Sequence, residues 1–254
     1  MEEKISVVIQ TYNAERHLAR VLDAVKEFDE VIVADMESTD ATRDIASHAG
    51  ARVVVYPKGN HTICEAYRER AVHEASHPWV LVVDADELVT PELRTYLYDD
   101  IRRHPEPHSL LIPRKNHFMG RWMKSHYPSY QHRFMPREGT TWPTTIHSHP
   151  STEGPVRKIP AKRTELALVH LYNEPYKEIM KKVDRYTDGE VERRSNKTNP
   201  LRLLFDPAFV FFRSYIVRGG FRDGIPGLIH SAIDAQYRFM ALAKVQERRL
   251  RKEI

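Results

Sequence analysis

Two carboxylates lie two residues apart directly after a continuous apolar run. Asp84 and Asp86 follow Trp79–Val83, with the small residue Ala85 between them. Because alternate side chains at a strand end share a side, both carboxylates can approach one cation. A divalent ion held there keeps open positions for diphosphate oxygens and neutralises their charge. The same spacing also fits an acidic loop that caps a helix starting near Pro91, so both interpretations stay open.

The elements that position these acids alternate between strand and helix patterns. Apolar runs predict strands at Ile5–Thr11, Val31–Asp35, Val53–Val55 and Trp79–Asp84. Helical spacing predicts helices over Leu18–Val25, from Ser38 or Thr39 to Gly50, over Ala66–Ala75 and over Pro91–Arg103. Asn13 is the predicted N-cap of the first helix, and Ser38 or Thr39 that of the second. Such alternation predicts an α/β fold, a Rossmann-like, mostly parallel sheet flanked by helices.

Polar residues follow three of the predicted strands. Thr11, Tyr12 and Asn13 come after the first strand, Asp35 ends the second, and Asp84–Asp86 end the fourth. Ligands of parallel α/β sheets bind beyond the carboxyl ends of the strands. The three clusters are therefore expected to form one ligand site.

Several segments together resemble a known enzyme family. In order and spacing, Ile5–Asn13 (ISVVIQTYN), Val31–Thr42 (VIVADMESTDAT) and Trp79–Glu87 (WVLVVDADE) resemble the N-terminal half of family-two glycosyltransferases. Tyr127–Arg133 and Ser214–Gly224 resemble a bacterial subgroup typified by lipopolysaccharide core glucosyltransferases. The resemblance implies a GT-A fold and inverting transfer of a sugar. The expected donor is a nucleotide diphosphate sugar, a UDP-hexose in particular, and the expected acceptor a lipid-linked or lipopolysaccharide-type glycan.

The resemblance also assigns roles to single residues. Thr11 and Tyr12 lie beside the nucleotide base, Asp35 on the base or ribose, and Asp84 on the ribose or a metal. Asn13 and Arg68 complete the expected donor-binding set.

The expected metal site holds Mn²⁺ or Mg²⁺. Its ligands are Asp84, Asp86 and His170, which ends the apolar run Leu166–Val169. Imidazole suits Mn²⁺ better than Mg²⁺. A histidine satisfied by hydrogen bonds at a strand end is the alternative for His170.

The chain departs from the family pattern at positions that bear on catalysis. The loop Asp35–Asp40 lacks the family's glycine, and Glu69 stands where the subgroup has an asparagine. After Trp142, a His-Glu pair is replaced by His147-Ser148. An inverting transfer needs a base within hydrogen-bond reach of the acceptor hydroxyl. The candidate replacements are His147, His149 and Glu153, whereas an acceptor that is already ionised, such as a lipid phosphate, needs no base.

Aromatic and polar residues of the middle region are expected on the acceptor side. Aromatic faces stack on sugar rings, and an arginine binds an anionic group. The candidates are Trp122, Tyr130, Gln131, Arg133 and Trp142. A buried aromatic cluster with Arg133 in an ion pair is the alternative.

The C-terminal third is expected to be helical, with a break at Gly219-Gly220. We expect residues 1–172 to form the donor-binding and catalytic domain and residues 173–254 a helical extension. Around residues 202–222, aromatic side chains mix with Arg213 and Arg218, as in helices that lie on anionic membranes. A helix packed on the catalytic domain, or against a second subunit in a homodimer, fits the same pattern.

Composition narrows the class of protein. Lys and Arg number 39 against 35 Asp and Glu, and Cys64 is the only cysteine. With no intramolecular disulfide available, a cytoplasmic location is expected, at most peripheral on the inner face of the membrane. A basic C-terminal tail is the only feature favouring nucleic acid, so no nucleic-acid partner is expected.

Two other functions compete with sugar transfer. The first is a non-catalytic module that binds nucleotide sugars or glycans. The second is a sugar-phosphate nucleotidyltransferase, which should have a Gly-rich phosphate loop where Gln10–Asn13 stands.

Overall fold

The computed structural model describes residues 3–59, 67–143, 149–171, 175–193 and 199–252. The chain divides into two compact units. The first is Met1–Lys115 with Pro128–Leu171, and the second is Asn116–Tyr127 with Tyr172–Ile254. The division at residue 172 inferred from the sequence assigned 116–127 to the first domain, whereas this segment belongs to the second unit.

Eleven strands and seven α-helices occur within the described residues. The strands are β1 (Ile5–Thr11), β2 (Glu30–Asp35), β3 (Arg52–Val55), β4 (Trp79–Asp84), β5 (Glu87–Leu88), β6 (Ser109–Ile112), β7 (Arg114–Phe118), β8 (Arg121–Trp122), β9 (Gln131–Pro136), β10 (Val156–Lys158) and β11 (Leu168–His170). The helices are α1 (Glu15–Val25), α2 (Thr42–His48), α3 (Arg68–His73), α4 (Pro91–Arg103), α5 (Tyr176–Arg193), α6 (Pro200–Phe212) and α7 (Gly224–Lys252).

The first unit is built on a seven-stranded sheet of order β10-β6-β9-β4-β1-β2-β3. The pairs β1–β2, β1–β4 and β2–β3 are parallel, so these strands share one carboxyl edge. β9 is antiparallel to both β4 and β6. This arrangement confirms the expected mostly parallel α/β sheet and inserts one reversed strand.

Alternation along the strands fills the two sides of this sheet. Val7 and Leu81 belong to a buried cluster with Leu18 of α1 and Leu93 of α4. The adjacent strand residues Val8, Val80 and Val82 point to the other side of the sheet. There they pack in a second cluster with Ala71 and Val72 of α3 and with Trp142. β1 is buried along its whole length, and five of its seven residues are β-branched, the exceptions being Ser6 and Gln10.

Hydrogen bonds join the loops that precede the first two helices, and Asp40 Oδ1 also accepts from the Thr42 N–H of α2 at 3.0 Å. Asn13 and Ser38 were the predicted caps, but α1 follows Ala14 and α2 follows Ala41, and neither has a cap from its own side chain. Instead, the Asn13 N–H donates to Ser38 Oγ at 2.8 Å, and the Thr39 N–H donates to Asn13 Oδ1 at 2.8 Å. The Glu15 N–H donates to Asp40 Oδ2 at 3.2 Å, and the Ala41 N–H to Glu15 Oε2 at 3.1 Å. The predicted caps were wrong because the side chains bond across the loops.

The second unit is helical. α7 packs on α5 and α6, and Phe118, Met123, Ile179, Val183 and Ile233 form a buried cluster. The predicted break is present: Gly219 adopts a left-handed φ of 78°, followed by a 3-10 turn over Gly220–Asp223. None of the helices within the described ranges is long and apolar enough to cross a membrane.

Candidate active site

The strand register brings the three predicted polar clusters to one edge. Gln10 pairs with Asp84 across β1 and β4, and Thr11 pairs with Asp35 across β1 and β2. All four residues lie at carboxyl ends of parallel strands. The edge predicted from sequence is therefore the one where these residues meet.

Asp84 lies among arginines. Arg133 forms an ion pair with Asp84 Oδ2, and Arg68 Nη2 lies 3.4 Å from Asp84 Oδ1. Arg114 Nη1 lies 4.0 Å from Asp84 Oδ2. The Asp84 side chain is 27% exposed, so water or a ligand still reaches it.

A buried glutamate holds this arginine cluster together. Glu87 is fully buried, with Oε1 2.7 Å from Arg114 Nη1 and 3.4 Å from Arg133 Nη2. Its Oε2 accepts a hydrogen bond from the Asp84 N–H at 3.1 Å. Burial raises the pKa of Glu87, but the charges of Arg133 and Arg114 outweigh it and hold the pKa below its ordinary value. Three arginines thus face two carboxylates, which leaves the cluster net positive.

Arg68 and Glu69 at the start of α3 link the arginine cluster to Trp142. Arg68 Nε donates to Gln10 Oε1 at 2.9 Å, and its guanidinium lies 5.2 Å from the Trp142 ring centroid. The Trp142 N–H donates to Glu69 Oε2 at 2.6 Å. Glu69, a departure from the family pattern, therefore anchors the backbone of Trp142.

Asp86 and His170 come together although they are 84 residues apart in sequence. β11 pairs with β5 so that His170 lies opposite Glu87, and His170 Nε2 is 3.1 Å from Asp86 Oδ2. The side chains are 36% and 16% exposed for Asp86 and His170. A carboxylate and an imidazole that reach solvent are a fitting partial ligand set for a divalent cation whose other ligands come from substrate. Asp84, committed to arginines, is less available as a ligand.

α1 adds a histidine that sequence reasoning missed. Burial lowers the pKa of His17, Arg16 lowers it further, and the charge of Asp86 opposes both. The only sequence signal was its place in the first turn of a helix that follows a site-bearing strand.

Asp35 links the end of β1 to the loop after β2, both of which were predicted to bind the donor. This side chain is fully buried and accepts hydrogen bonds from Thr11 Oγ1 at 2.9 Å, Ser38 N at 2.8 Å and Ser38 Oγ at 2.5 Å. Tyr12 is 39% exposed, and the Lys58 ammonium lies 4.8 Å from its ring centroid. Asp35 therefore holds the loops together, whereas the Tyr12 ring is partly exposed and lies against Lys58.

Glu37 occupies the position of the family's missing glycine. Its φ is 53°, so the loop keeps a left-handed residue there without glycine. A non-glycine residue in this conformation costs roughly 1–2 kcal/mol. Glu37 Oε2 accepts a hydrogen bond from the Lys58 N–H at 3.0 Å, which offsets part of that cost.

The predicted acceptor residues are dispersed. Arg133 is 3% exposed and forms ion pairs, which is the alternative that the sequence left open. Trp142 is also buried. The Tyr130 hydroxyl donates to Ile159 O at 2.9 Å, and Gln131 Nε2 donates to Ser129 Oγ at 3.2 Å. Trp122 belongs to the second unit.

The candidate bases have different placements. His147 lies outside the described residues, and His149 is exposed. Glu153 packs on Gly139, where a Cβ would lie 2.5 Å from Glu153 Cγ. Gly139 follows the end of β9, which pairs with the beginning of β4. Because β9 is reversed, Glu153 lies at the opposite end of the sheet from Asp84, so it is not among the residues that the structure brings to the carboxyl edge.

Comparisons with known proteins agree with this architecture. The family described as glycosyl transferase family 2 matches residues 6–163, more than half of the chain. An uncharacterized glycosyltransferase of Rickettsia conorii is 28% identical over 99% of this chain and 93% of its own length. A lipopolysaccharide core biosynthesis glycosyltransferase, LpsC, of Rhizobium meliloti is 24% identical over 96% of this chain and 92% of its own.

Among solved structures, residues 1–349 of Staphylococcus aureus TarS are 15% identical, with a TM-score of 0.47 over 98% of this chain and 92% of that one. The family match and the sheet described above confirm the expected GT-A-type fold. The chain is a glycosyltransferase and belongs to glycosyl transferase family 2.

Proposed function

We propose that this glycosyltransferase moves a hexose, with inversion, from a UDP-sugar to a lipid-linked or lipopolysaccharide-type glycan, assisted by Mn²⁺ or Mg²⁺. The observation that carries the proposal is the Asp86–His170 pair next to the net-positive arginine cluster at the carboxyl edge of the sheet. A bound cation there would neutralise charge on the departing diphosphate. The name of the Rhizobium relative, LpsC, supports the acceptor class.

The chain's own residues supply donor orientation. Tyr12 offers an exposed ring face for a base, and the loop that carries it is fixed by Asp35. Arg68 and Arg133 hold the Asp84 carboxylate in one orientation, from which it can accept a hydrogen bond from a ribose hydroxyl. Preorganised groups of this kind need no reorganisation during transfer.

Acceptor activation is assigned to the segment after Trp142. Among the described candidates, His149 remains available as a base because it is exposed. An ionised phosphate acceptor would make this base unnecessary, so the effect of His149→Gln on a hydroxyl acceptor and on a phosphate acceptor distinguishes the two routes.

The exposed face of α6 is proposed to lie on an anionic membrane. Apolar residues at helical spacing are exposed there: Leu201, Leu204, Phe205, Phe209 and Phe212. Every exposed charged side chain between residues 200 and 222 is an arginine, namely Arg213, Arg218 and Arg222. This combination of apolar area and positive charge favours an anionic lipid surface over a protein partner.

Vesicle sedimentation tests this membrane contact. The chain is expected to bind vesicles containing anionic lipid, and Arg213→Glu should weaken binding at least about fivefold, because each surface arginine contributes about 1 kcal/mol. Arg249→Glu, in the exposed part of α7, is the matched control. Equal binding by Arg213→Glu and the wild type, or a stable dimer that covers α6, would contradict the proposal.

The decisive experiment for the function is nucleotide- and metal-dependent stabilisation. Melting temperatures are measured with UDP, GDP, ADP or CMP, each with Mn²⁺, Mg²⁺ or chelator; a ligand at a hundredfold its Kd adds about 2.7 kcal/mol. We expect a metal-dependent shift with UDP that Asp86→Ala abolishes and the exposed control Asp23→Ala keeps.

Hydrolysis of the UDP-sugar then tests for turnover of the proposed donor, which the non-catalytic binding module considered from the sequence would lack. Membership in family 2 already argues against the nucleotidyltransferase alternative. A metal-dependent shift without any turnover would favour the binding module.

A further inference from the structure

The helical unit contains a second group of metal-ligating side chains, separate from the Asp86–His170 pair. His126, His230 and Asp234 each offer one ligand atom, and these atoms all lie within 4.8 Å of one another. All three side chains are partly buried. His126 comes from the 3-10 turn Lys124–His126, and the other two residues lie one turn apart on α7.

Hydrogen bonds on the far side of His126 orient its ring. Ser125 Oγ lies 3.0 Å from His126 Nδ1 and donates its single proton to Asp223 Oδ2 at 2.5 Å. The His126 Nδ1 must therefore donate to Ser125 Oγ, which leaves the lone pair on Nε2 free. Metal-binding histidines are held in this way, with a carboxylate or hydroxyl behind the ring fixing the tautomer.

The other two side chains face each other at a distance longer than a hydrogen bond. His230 Nδ1 is buried and lies 3.6 Å from Asp234 Oδ1, in an ion-pair contact. Asp234 Oδ2 accepts from Ser214 Oγ at 2.7 Å, which fixes the carboxylate and leaves Oδ1 facing His230. A cation between Nδ1 and Oδ1 would replace this long contact with two bonds to a metal.

We propose that His126, His230 and Asp234 bind a divalent transition-metal ion of the Zn²⁺ class. Two imidazoles and one carboxylate are a ligand set that zinc prefers, and they leave a fourth position for water. The ion would tie the Lys124–His126 turn to α7 and, through Ser214, to the π-helical turn Arg213–Val217. Its role is to stabilise the second unit, independent of sugar transfer.

Co²⁺ titration of the full chain tests this site, because tetrahedral Co²⁺ with imidazole ligands absorbs strongly in the visible range. The titration uses an Asp86→Asn/His170→Gln background, which removes the other cation pair. One Co²⁺ per chain, displaced by Zn²⁺, is the expected result. In this background His230→Gln should raise the Kd more than 100-fold, and Ser125→Ala about 10- to 100-fold, as for groups behind metal ligands.

His48→Gln on the exposed face of α2 is the matched control and should leave Co²⁺ binding unchanged. Circular dichroism without metal checks that each variant folds, and Asp234→Asn replaces His230→Gln if the latter does not. Zn²⁺ should raise the melting temperature of the background protein and not that of the His230→Gln variant. Absence of a stoichiometric tetrahedral Co²⁺ signal, or equal affinity in His230→Gln and the background, would overturn the proposal.

Discussion

The Arg133 guanidinium lies against the Asp84 carboxylate on one face of the sheet, and the same guanidinium reaches the fully buried Glu87. Burial lowers the pKa of Arg133, but Asp84 and Glu87 more than compensate and raise it above its ordinary value. The buried Arg133 therefore forms ion pairs with both Asp84, which is partly exposed at the candidate site, and Glu87, which is fully buried. Removing it would leave Glu87 with Arg114 alone.

Arg133→Met is expected to destabilise the fold strongly. Loss of one partner from a buried ion pair typically costs about 3–5 kcal/mol, because the remaining charge stays buried. Urea unfolding measures the change. Arg102→Met, which removes an exposed pair with Glu3, should cost much less, because solvent screens that pair. Equal losses in the two variants would show that Arg133 is not required for stability.

His170→Gln is expected to weaken metal dependence and leave folding intact. The side chain bonds Asp86 in a partly exposed position, so the loss should raise the half-saturating Mn²⁺ concentration for UDP-sugar turnover at least about tenfold. Turnover rates across an Mn²⁺ series measure this shift, with His48→Gln as control. An unchanged Mn²⁺ profile would remove His170 from the cation site.

Glu69→Ala is expected to loosen the backbone at Trp142. A carboxylate that accepts a backbone N–H at 2.6 Å contributes about 1–2 kcal/mol when partly buried. Urea unfolding should show this loss, and the KM for the donor should rise because Arg68 stacks on the same tryptophan. Glu74→Ala, on the exposed end of α3, is the control. A stability loss without a KM change would limit Glu69 to a structural role.

Acid should destabilise the protein through His132. Burial lowers its pKa to about 4, and the charge of His149 adds to the effect. The unfolded chain, with an ordinary histidine pKa near 6.5, binds the proton more tightly, so the free energy of unfolding is highest above pH 6.5 and falls as the pH drops toward 4. Unfolding measured from pH 7.5 to 4.5 should show a smaller decline in His132→Leu. The same decline in both proteins would assign the acid sensitivity to other groups.

Short sequence patterns predicted the bounds of individual strands and helices, because neighbouring residues determine where such elements begin and end. The bounds of β1 and β4 follow from apolar runs and those of α4 from its start at Pro91, and all three predictions were confirmed. The structure adds the Thr90 cap of α4. The expectation that Asp86 and His170 share a site came from the family resemblance.

The arginine cluster could not be predicted in the same way. Its members come from four separate segments, and Arg114 and Glu87 look like ordinary surface residues in the sequence. Only the reversed strand β9 places Arg133 beside β4. The sequence of β9 does not indicate that it runs antiparallel, because its direction depends on its place between β6 and β4 in the sheet. For the same reason, the position of Glu153 at the other end of the sheet could not be predicted from local pattern.

Hydrogen bonds between the loops that precede α1 and α2 make these loops one cooperative unit. Opening either loop breaks bonds made to the other, including those between Asn13 and Thr39, between Glu15 and Asp40 and between Glu15 and Ala41. Amide protons in both loops should therefore exchange with solvent in a shared opening event rather than one loop at a time. A nucleotide lying between them would then dissociate at a rate set by this joint opening.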